Sequence, residues 1–553
     1  MQNQTLAAPQ RTPGRSRWLG LGAIALGVAM IIVDATIVNV AVPAIIDELH
    51  VNLTDAEWIN SIYSLIFAAL LITLGRLGDL RGRKRLYLFG LVLFVGSSML
   101  AGIAPNGGTL IAARALQGIG AAAISPSTLS SLNTLFRGRE RAIAFGIWGS
   151  IIGGMAALGP LIGGWLTTNL SWRWAFYINV PVGLIAFLGA LRFVPESRDE
   201  HIRPGFDLPG IVLSIIGFGG LVFGLIEGER YGWWKPAEQF SLFGWQWPLT
   251  QISIVPVALT LGMLGLLCFT LVERRRARRN QVVLVDFALF RLRSFGWGNV
   301  TALIVSLGEF GLIFVLSLYL QGVRGYSAFA TGVGLLPLAL ASFIAGPSAA
   351  TLSQRFGARR VVSVGMFCEA IGLLLLGLLL SPTVSRLTLL PALAIYGIGV
   401  GFATAQLTSV ILADVPVAAS GQASGIQSTT RQVGAALGIA LLGTLLSIGL
   451  RDGMRDRLAQ IPGLSAQQQV AITRVIQRSA GQALGQLRQQ PGTQPIVRAA
   501  EDAFTDAARR DAFVAAGFIL AGFAASWLLP NTRPESERRA ARQPAAATAT
   551  EKP

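Results

Sequence analysis

Long runs of apolar residues recur along the 553-residue chain. A bilayer core of about 30 Å requires about 20 apolar residues per helix, and this length criterion predicts fourteen transmembrane helices. An even number of helices places both termini on the same side of the membrane. The predicted spans are 18–43, 58–77, 86–104, 109–132, 142–166, 176–194, 208–228, 252–272, 295–320, 331–352, 361–380, 387–413, 425–450 and 511–529. The pattern therefore predicts an all-α polytopic membrane protein.

The composition agrees with this class and excludes others. Hydrophobic residues make up 52% of the chain and charged residues only 13%, whereas an ordinary soluble domain carries about 25% charged residues. Such a chain cannot cover a water-facing surface, which excludes a soluble enzyme and a disordered scaffold. The two cysteines and two histidines form no metal-binding or disulfide pattern. No GxxxxGK[ST] sequence and no nucleophile–base cluster occurs, so we expect neither ATP as the energy source nor an enzymatic reaction.

The distribution of positive charge predicts the orientation. Counted up to Arg542, with Arg76 and Arg192 at span ends included, the side of the membrane that holds the termini carries 28 Lys and Arg residues, and the short loops opposite carry five. The long segment 451–510 holds nine more, but segments of that length largely escape the positive-inside rule. Both termini are therefore predicted to be cytoplasmic. The net charge of +17 is interpreted as an orientation signal with affinity for anionic lipids and not as a nucleic-acid site.

Three segments lie outside the predicted spans. Residues 231–250 are rich in Trp, as expected of aromatic anchors at a membrane interface. Residues 451–510 have apolar residues at helical spacing, which fits either an amphipathic helical pair on the outer face or a solvated loop. The tail 531–553 is rich in Ala, Arg and Thr and is predicted to be disordered.

A glycine-rich basic turn follows the second span. Residues 75–85 read GRLGDLRGRKR, in which Gly75 and Gly82 permit a tight turn and Asp79 is the one acid among five basic residues, Arg83 included. A second copy occurs at residues 350–360, with Gln354 in place of the aspartate. This repeat indicates two related halves, a common construction of transporters with a site between the halves.

Further motifs occur in order along the chain. The fourth span contains RALQGIG at 114–120, the fifth ends in GPLIGG at 159–164, and the first contains DATIVNVAVP at 34–43. WRWAF at 172–176, NVP at 179–181, GQASG at 421–425 and TRQ at 430–432 follow. Together with the basic turn, these motifs resemble the major facilitator superfamily and, within it, the fourteen-helix drug:proton antiporter family. One departure is Met155, where the glycine–proline motif of the family has a glycine.

The resemblance implies a domain organisation. It implies two six-helix bundles around a central cavity, at 18–195 and 295–530, with two additional helices in 196–294. Residues 1–17 and 531–553 are then cytoplasmic tails, and 451–510 is an extracytoplasmic loop. The resemblance also implies that Asp79 and its basic neighbours close the cytoplasmic side, and that Gly159, Pro160 and Gly163 form the helix kink of antiporters.

Charged residues inside the predicted spans require a reason, because burying a charge in a bilayer is costly. Asp34 lies about nine residues, or ~13 Å, from the end of its span, near the midplane. Loss of hydration favours its neutral form, so Asp34 is a candidate to load and release a proton. Arg114 lies at a similar depth and either couples to Asp34 or only packs. Glu309 corresponds to Asp34 in the second half and is either a second coupling acid or a hydrogen-bonded structural acid.

Other polar positions receive weaker interpretations. Glu369 is assigned to a peripheral helix, and Asp414 and Arg431 are interpreted as gating or capping groups. The residues of the likely cavity-lining helices are each either packing residues or ligand contacts. They are Asn39, Trp58, Tyr63, Gln117 and Gln427.

The sequence thus predicts a proton-driven exporter of lipophilic or cationic drugs in the plasma (inner) membrane, working by alternating access without a cofactor. Protons, membrane lipids and drug-like molecules are the expected partners, and the sequence leaves open whether a periplasmic adaptor takes part. An exporter of one endogenous molecule, such as a lipid, pigment or self-made antibiotic, is the alternative. A non-transporting membrane receptor is a further alternative, against which the acids inside the spans argue.

Overall fold

A computed structural model describes residues 14–51, 53–136, 138–198, 205, 207–242, 245–479 and 481–530. The predicted terminal tails lie wholly or largely outside these residues, and the prediction of a disordered tail at 531–553 is therefore untested. Long α-helices dominate the described part of the chain.

Seven helices form the first half. They are α1 (Gly14–Leu49), α2 (Leu53–Arg81), α3 (Arg83–Gly102), α4 (Gly107–Leu135), α5 (Gly138–Asn169), α6 (Trp174–Tyr177) and α7 (Asn179–Phe193). The sixth predicted span thus consists of a single turn, α6, followed by α7. Helix α1 packs on α5 and α7, and α4 packs on α2 and α3.

The middle of the chain holds two additional long helices. The elements are α8 (Leu208–Ile226), α9 (Gly228–Tyr231), β1 (Ser241–Leu242), β2 (Trp245–Gln246) and α10 (Ile254–Arg278). Strands β1 and β2 form a small antiparallel hairpin in which Leu242 pairs with Trp245. Helices α8 and α10 pack on each other, and α8 also packs on α2.

The second half begins after a short 3-10 helix, Phe287–Arg291. Its helices are α11 (Arg293–Gly322), α12 (Ala328–Phe356), α13 (Ala358–Leu379), α14 (Arg386–Ile411), α15 (Ser420–Leu458), α16 (Ala466–Arg478), α17 (Ala483–Leu487) and α18 (Gln494–Ser526), with a 3-10 turn at Val417–Ala419. Helix α15 contacts both α11 and α18, and α13 packs on α14 and α18.

Within the described residues, twelve helices are long and apolar enough to cross a membrane. The predicted fold class, an all-α polytopic membrane protein, is confirmed. The fifth and fourteenth predicted spans fall on the long helices α5 and α18, which are not among those twelve, so the count of fourteen stays a prediction.

The segment 451–510 is helical over most of its length. Helix α15 continues to Leu458, α16 and α17 follow, and α18 begins at Gln494. Ser465 and Gln468 form a reciprocal capping box that fixes the start of α16. Of the two interpretations of this segment, the helical one therefore fits the structure better than the solvated loop. The segment is more than a helical pair, because it contains two short helices and the ends of two long ones.

The two halves meet most extensively along two helix pairs, α5 with α12 and α2 with α15, and α5 also contacts α14 and α4 contacts α15. Glycines allow the close approach. A side chain at Gly75 would meet the Gly421 carbonyl oxygen at 2.6 Å, and one at Gly146 would meet the Gly346 carbonyl oxygen at 2.7 Å. We call the end of the bundle where α2 passes into α3 the basic face and the opposite end the distal face.

Candidate functional site

Asp34 of α1 is held by donors from α4 and α7. The Arg114 Nη1 atom lies 2.5 Å from Asp34 Oδ2, and the amide nitrogens of Gln117 and Asn179 donate to Oδ1 at 3.1 and 2.7 Å. The ion pair is fully enclosed, since Asp34 is 0% and Arg114 1% exposed. The two residues that the sequence placed at similar depth are therefore in direct contact.

The guanidinium of Arg114 is also fixed on its other sides. It donates from Nε to the Ile59 carbonyl oxygen at 3.0 Å and from Nη1 to Gln117 Oε1 at 2.9 Å. Its Cζ atom lies 4.3 Å from the centre of the Tyr63 ring, a cation–π contact. Tyr63 and Gln117, predicted as cavity residues, thus belong to the shell of the ion pair.

Two members of this network, Asn179 and Ser98, were missed as site residues. The Ser98 hydroxyl accepts hydrogen bonds from the amide nitrogens of Asn179 and Gln117, at 3.2 and 2.7 Å. These bonds tie α3, α4 and α7 together around Asp34. The motif NVP at 179–181 marked Asn179 as part of the family pattern, but nothing in the spacing assigned it to Asp34. Ser98 carried no signal, because a serine inside a span most often bonds its own helix.

The glycines of the predicted antiporter kink face α1 beside Asp34. A side chain at Gly159 would collide with Thr36, and one at Gly163 would meet Ile37 Cγ1 at 2.5 Å. Because these two positions are glycines, α5 can pack closely against the segment of α1 that carries Asp34. The side chains of Pro160 and Asn39 lie outside those that the structure describes.

The second half holds a different arrangement of buried charge. Arg431 Nη2 lies 3.9 Å from Glu309 Oε2, too far for a hydrogen bond. Glu369 of α13 is fully buried, and within the described residues neither of its carboxyl oxygens has a hydrogen-bond partner. Glu309, Glu369 and Arg431 interact electrostatically. Two buried carboxyls thus share one loosely placed cation.

This cluster changes two interpretations of the sequence. Glu369 interacts electrostatically with Glu309 and Arg431 and is therefore not a peripheral acid. It also lies at the close contact of α13 with α14, where a side chain at Gly399 would meet Glu369 Cγ at 2.6 Å. Arg431 faces Glu309 and is not an end cap. Periodicity could not reveal either contact, since both depend on which helices become neighbours.

Two predicted cavity residues lie apart from the Asp34 network. Trp58 stacks on Phe223 and meets Phe240 edge-on, with ring centres 6.1 and 6.0 Å apart, in an aromatic cluster below the α8–α10 connection. Gln427 is buried in the second half and donates to the Thr408 hydroxyl at 2.9 Å. The structure therefore places Trp58 in packing, and a substrate contact for either residue stays a prediction.

Asp79 joins the two halves at the basic face. Its carboxylate accepts hydrogen bonds from the backbone N–H groups of Gly421 and Gln422, both at 2.8 Å, and so caps the first turn of α15. Arg83 pairs with Asp79 at 2.6 Å and donates to the Val417 carbonyl oxygen at 2.8 Å. We call this arrangement the latch.

The turn that carries the latch depends on glycine. Gly82 has a φ of 111°, which side chains rarely adopt, and a Cβ there would also meet the Glu196 carboxyl at 2.7 Å. The second copy of the turn keeps this feature at Gly357, with a φ of 88°. There, however, Gln354 stands in place of the acid, and its amide nitrogen has no hydrogen-bond partner among the described residues.

The chemistry of the site is that of charge and proton binding. An enclosed acid with an adjacent guanidinium can exchange its cation partner for a proton when its helices move. Among the described residues, no group of three His, Cys, Asp or Glu side chains is arranged to hold a metal ion.

Comparisons with known proteins define the class. The family model of the Major Facilitator Superfamily matches residues 24–439. The human organic anion transporter MFSD10 has a similar fold, with a TM-score of 0.57 at 13% identity, over 93% of this chain and 100% of that one. The chain therefore belongs to the major facilitator superfamily.

Two relatives are considerably closer in sequence. The puromycin resistance protein pur8 of Streptomyces alboniger is 37% identical over 78% of this chain and 82% of its own length. The multidrug resistance protein Stp of Mycobacterium tuberculosis is 33% identical over 93% of this chain and 92% of its own length. These likenesses extend over most of both proteins.

Proposed function

We propose that this protein is a proton-coupled secondary exporter of lipophilic or cationic drug-like compounds. The observation that carries the proposal is the enclosed ion pair of Asp34 and Arg114 inside the helix bundle. A scaffold has no need of such a pair, whose burial is costly, whereas an antiporter requires an acid that can exchange ligands. Family membership and the names of the two relatives support the same activity.

The geometry supports a specific exchange at Asp34. In this conformation the carboxylate has all its charge balanced by Arg114, Gln117 and Asn179. When α1 and α4 separate, the carboxylate loses that balance, and a proton or a cationic substrate takes the place of the guanidinium. Because one carboxylate cannot serve both ligands fully, loading of the proton favours release of the substrate.

The latch sets which side is open. It closes the basic face by joining α2 to α15, so this conformation belongs to the stage of the cycle in which that face is sealed. Opening requires the loss of both backbone hydrogen bonds and the Arg83 contacts. We propose that the basic face is cytoplasmic, as the positive charge of its loops predicts.

The remaining parts of the proposal concern energy and location. The proton gradient replaces ATP as the energy source, no chemical reaction is catalysed, and the protein lies in the plasma membrane with both termini in the cytoplasm. Drug-like substrates, protons and anionic lipids are its partners. No step requires a periplasmic adaptor.

The alternative is a dedicated exporter of one endogenous molecule. The name of the relative from Streptomyces alboniger, which specifies resistance to a single antibiotic, favours this alternative. The two functions differ in substrate range and not in mechanism. A panel of unrelated compounds therefore separates them.

The test is flux in proteoliposomes that contain the purified protein, with an imposed pH gradient and a panel of dyes and cationic drugs. We expect drug flux coupled to counter-movement of protons. Asp34→Asn should abolish the coupling, and the matched variant Asp47→Asn, in an exposed part of the same helix, should retain it. Flux that is unchanged in Asp34→Asn would remove this residue from the mechanism, and a folded protein with no flux for any compound would favour the dedicated exporter.

A further inference from the structure

A cavity of about 650 Å³ lies toward the distal face, and its lining includes none of the residues of the Asp34 network. Its walls come from α2, the α8–α9 junction, α11, α15, α16 and α18. This volume is in the range that holds a drug-sized ligand. We call it the distal vestibule.

The distal vestibule forms where the two halves part. Near the basic face, a side chain at Gly425 would meet the Leu71 carbonyl oxygen at 2.9 Å, so α2 and α15 touch. Further along the same two helices, Ser61 of α2 and Ser447 of α15 both line the cavity. The other helix pair, α5 with α12, stays in contact at its distal end, where a side chain at Gly164 would meet Phe329 Cβ at 3.0 Å.

One wall of the vestibule is apolar and belongs to the second half. It is formed by Phe314 and Leu318 of α11, Leu446 and Leu450 of α15, and Phe504 of α18. The cover on this side is α16, held in place because Gln477 donates to the Ser447 carbonyl oxygen at 2.9 Å. The segment 451–510 therefore has a structural role here: it supplies a wall of the cavity.

The part of the lining that comes from the α8–α9 junction and the residues after it carries an excess of acid. Glu227, Glu229 and Glu238 line it together with Arg230. Arg230 lies 3.5 Å from both Glu227 and Glu238, so its charge is shared between two carboxylates. Glu229 forms no ion pair with any described residue, and a side chain at Gly443 of α15 would meet its Oε2 atom at 3.1 Å. Arg474, the other cation of the lining, is on exposed α16 across the cavity.

The carboxylates of two of these acids, Glu227 and Glu229, would be stabilised by a bound cation. Glu227 is only 3% exposed, and its Oε1 atom has no hydrogen-bond partner in the described part of the chain. Burial raises the pKa of Glu227, against the opposing effects of Ser61 and Arg230. Burial likewise raises the pKa of Glu229, with the Ser447 hydrogen bond opposing. A bound positive charge would restore the stabilisation that both carboxylates have lost from water.

We propose that the distal vestibule is a second binding site for lipophilic organic monocations, separate from the Asp34 network. The apolar wall contacts the body of the cation, and Glu229 receives its charge. This inference rests on the proposed function, because it gives a class of substrate to an exporter. On this inference, a cation occupies the distal vestibule after it leaves the Asp34 network and before it is released at the distal face.

The first experiment measures binding without transport. Equilibrium binding of radiolabelled tetraphenylphosphonium to the purified full-length protein should give two sites per molecule. Glu229→Gln should weaken one of them about tenfold, as expected for the loss of a charged contact. The matched variant Asp452→Asn, at an exposed acid outside the cavity, should bind as the unaltered protein does.

The second experiment uses a reporter inside the vestibule. Ser447→Cys is introduced into a protein in which Cys268 and Cys368 are replaced by serine, and its reaction with a maleimide is followed. Tetraphenylphosphonium should slow labelling of this cysteine and leave a cysteine at position 452 unaffected. Because neither experiment needs a gradient, a failure of proton coupling in proteoliposomes leaves these results readable.

Two outcomes would overturn the inference. One is a single binding site whose affinity is the same in Glu229→Gln as in the unaltered protein. The other is equal labelling of the Ser447→Cys reporter with and without the cation. In either case the vestibule is no binding site for this class of ligand, while the proposed export through the Asp34 network would still stand on its own test.

Discussion

The two halves of this transporter bury acids at related places but treat them differently. Asp34 in the first half has an arginine at 2.5 Å and two amide donors. Glu309 in the second half has an arginine only at 3.9 Å, and Glu369 has no hydrogen-bond partner among the described residues. A buried carboxyl with an ion-pair partner and hydrogen-bond donors has its lost hydration replaced, whereas one without partners does not. The comparison teaches that two repeated halves can bury acids at related places and differ in how completely each acid is partnered.

The largest expected effect comes from removing the cation of the first half. Arg114→Ala leaves Asp34 buried and unpaired, which should cost about 3–5 kcal/mol in the free energy of unfolding. Arg431→Ala should cost less than Arg114→Ala, because Arg431 lies 3.9 Å from Glu309 and forms no hydrogen bond with it. Thermal unfolding of the purified variants in one detergent measures both. Equal losses of stability in the two variants would contradict the difference between the halves. As a control, adding Asp34→Asn to an Arg114→Gln variant should recover stability, because the unpaired buried charge is then removed.

The next effect concerns the acids themselves. Asp34→Asn should destabilise the protein by about 3 kcal/mol, since Arg114 is then the unpaired charge. Glu369→Gln should change the stability by about 1 kcal/mol or less, because an amide resembles the neutral acid in shape and carries no charge to compensate. The same unfolding assay distinguishes them. A Glu369→Gln variant as unstable as Asp34→Asn would show that Glu369 is held as an anion.

The latch offers a comparison between the two copies of the basic turn. Asp79→Asn weakens charge-assisted hydrogen bonds to Gly421 and Gln422, so the basic face should open more often, by about tenfold. Ser428 of α15 faces Ser125 of α4 across the contact between the halves, with their hydroxyl oxygens 3.5 Å apart. A cysteine at position 428, in a background without Cys268 and Cys368, therefore reports opening through its rate of labelling. Gln354→Ala, the matched change in the second copy, should alter this rate less than about twofold. Equal effects of the two changes would contradict the assignment of the latch to the first half.

The smallest expected effect lies in the α8–α9 junction. Because burial raises the pKa of Glu227, the folded protein binds its proton more tightly than the unfolded chain does. Stability should therefore fall as the pH rises from the ordinary glutamate range through the raised pKa. Glu227→Gln should flatten this part of the pH profile of the melting temperature, a change of about 1–2 °C. Parallel profiles for the variant and the unaltered protein would contradict the effect of burial.

The sequence predicted the helices well because the apolar runs of membrane spans are long and local. It also predicted that Asp34 and Arg114 lie at similar depth, since rise per residue alone determines depth. It could not predict their contact, the role of Ser98 or the pairing of Glu309 with Glu369, because these depend on which helices become neighbours. The packing of Trp58 against Phe223 and Phe240 could not be predicted for the same reason.

The segment 451–510 illustrates a second limit. Its helical spacing was visible in the sequence, but both an amphipathic pair and a solvated loop fitted that spacing. The decisive contact is a hydrogen bond from Gln477 to the Ser447 carbonyl oxygen, between residues 30 positions apart. No local pattern marks one glutamine among many as the one that fixes a helix over a cavity.

The central claim, that Asp34 exchanges a proton for a substrate, is tested most directly by proton release. The purified protein is mixed with tetraphenylphosphonium in weakly buffered detergent solution, and a pH-sensitive dye reports protons set free on binding. In the proposed cycle, Asp34 carries a proton in molecules whose α1 and α4 have separated, and binding of the cation displaces that proton. The account therefore predicts release of protons by the unaltered protein and by Asp47→Asn, and a clear loss of that release in Asp34→Asn at a cation concentration that saturates the protein. Undiminished release in a folded Asp34→Asn variant would contradict it.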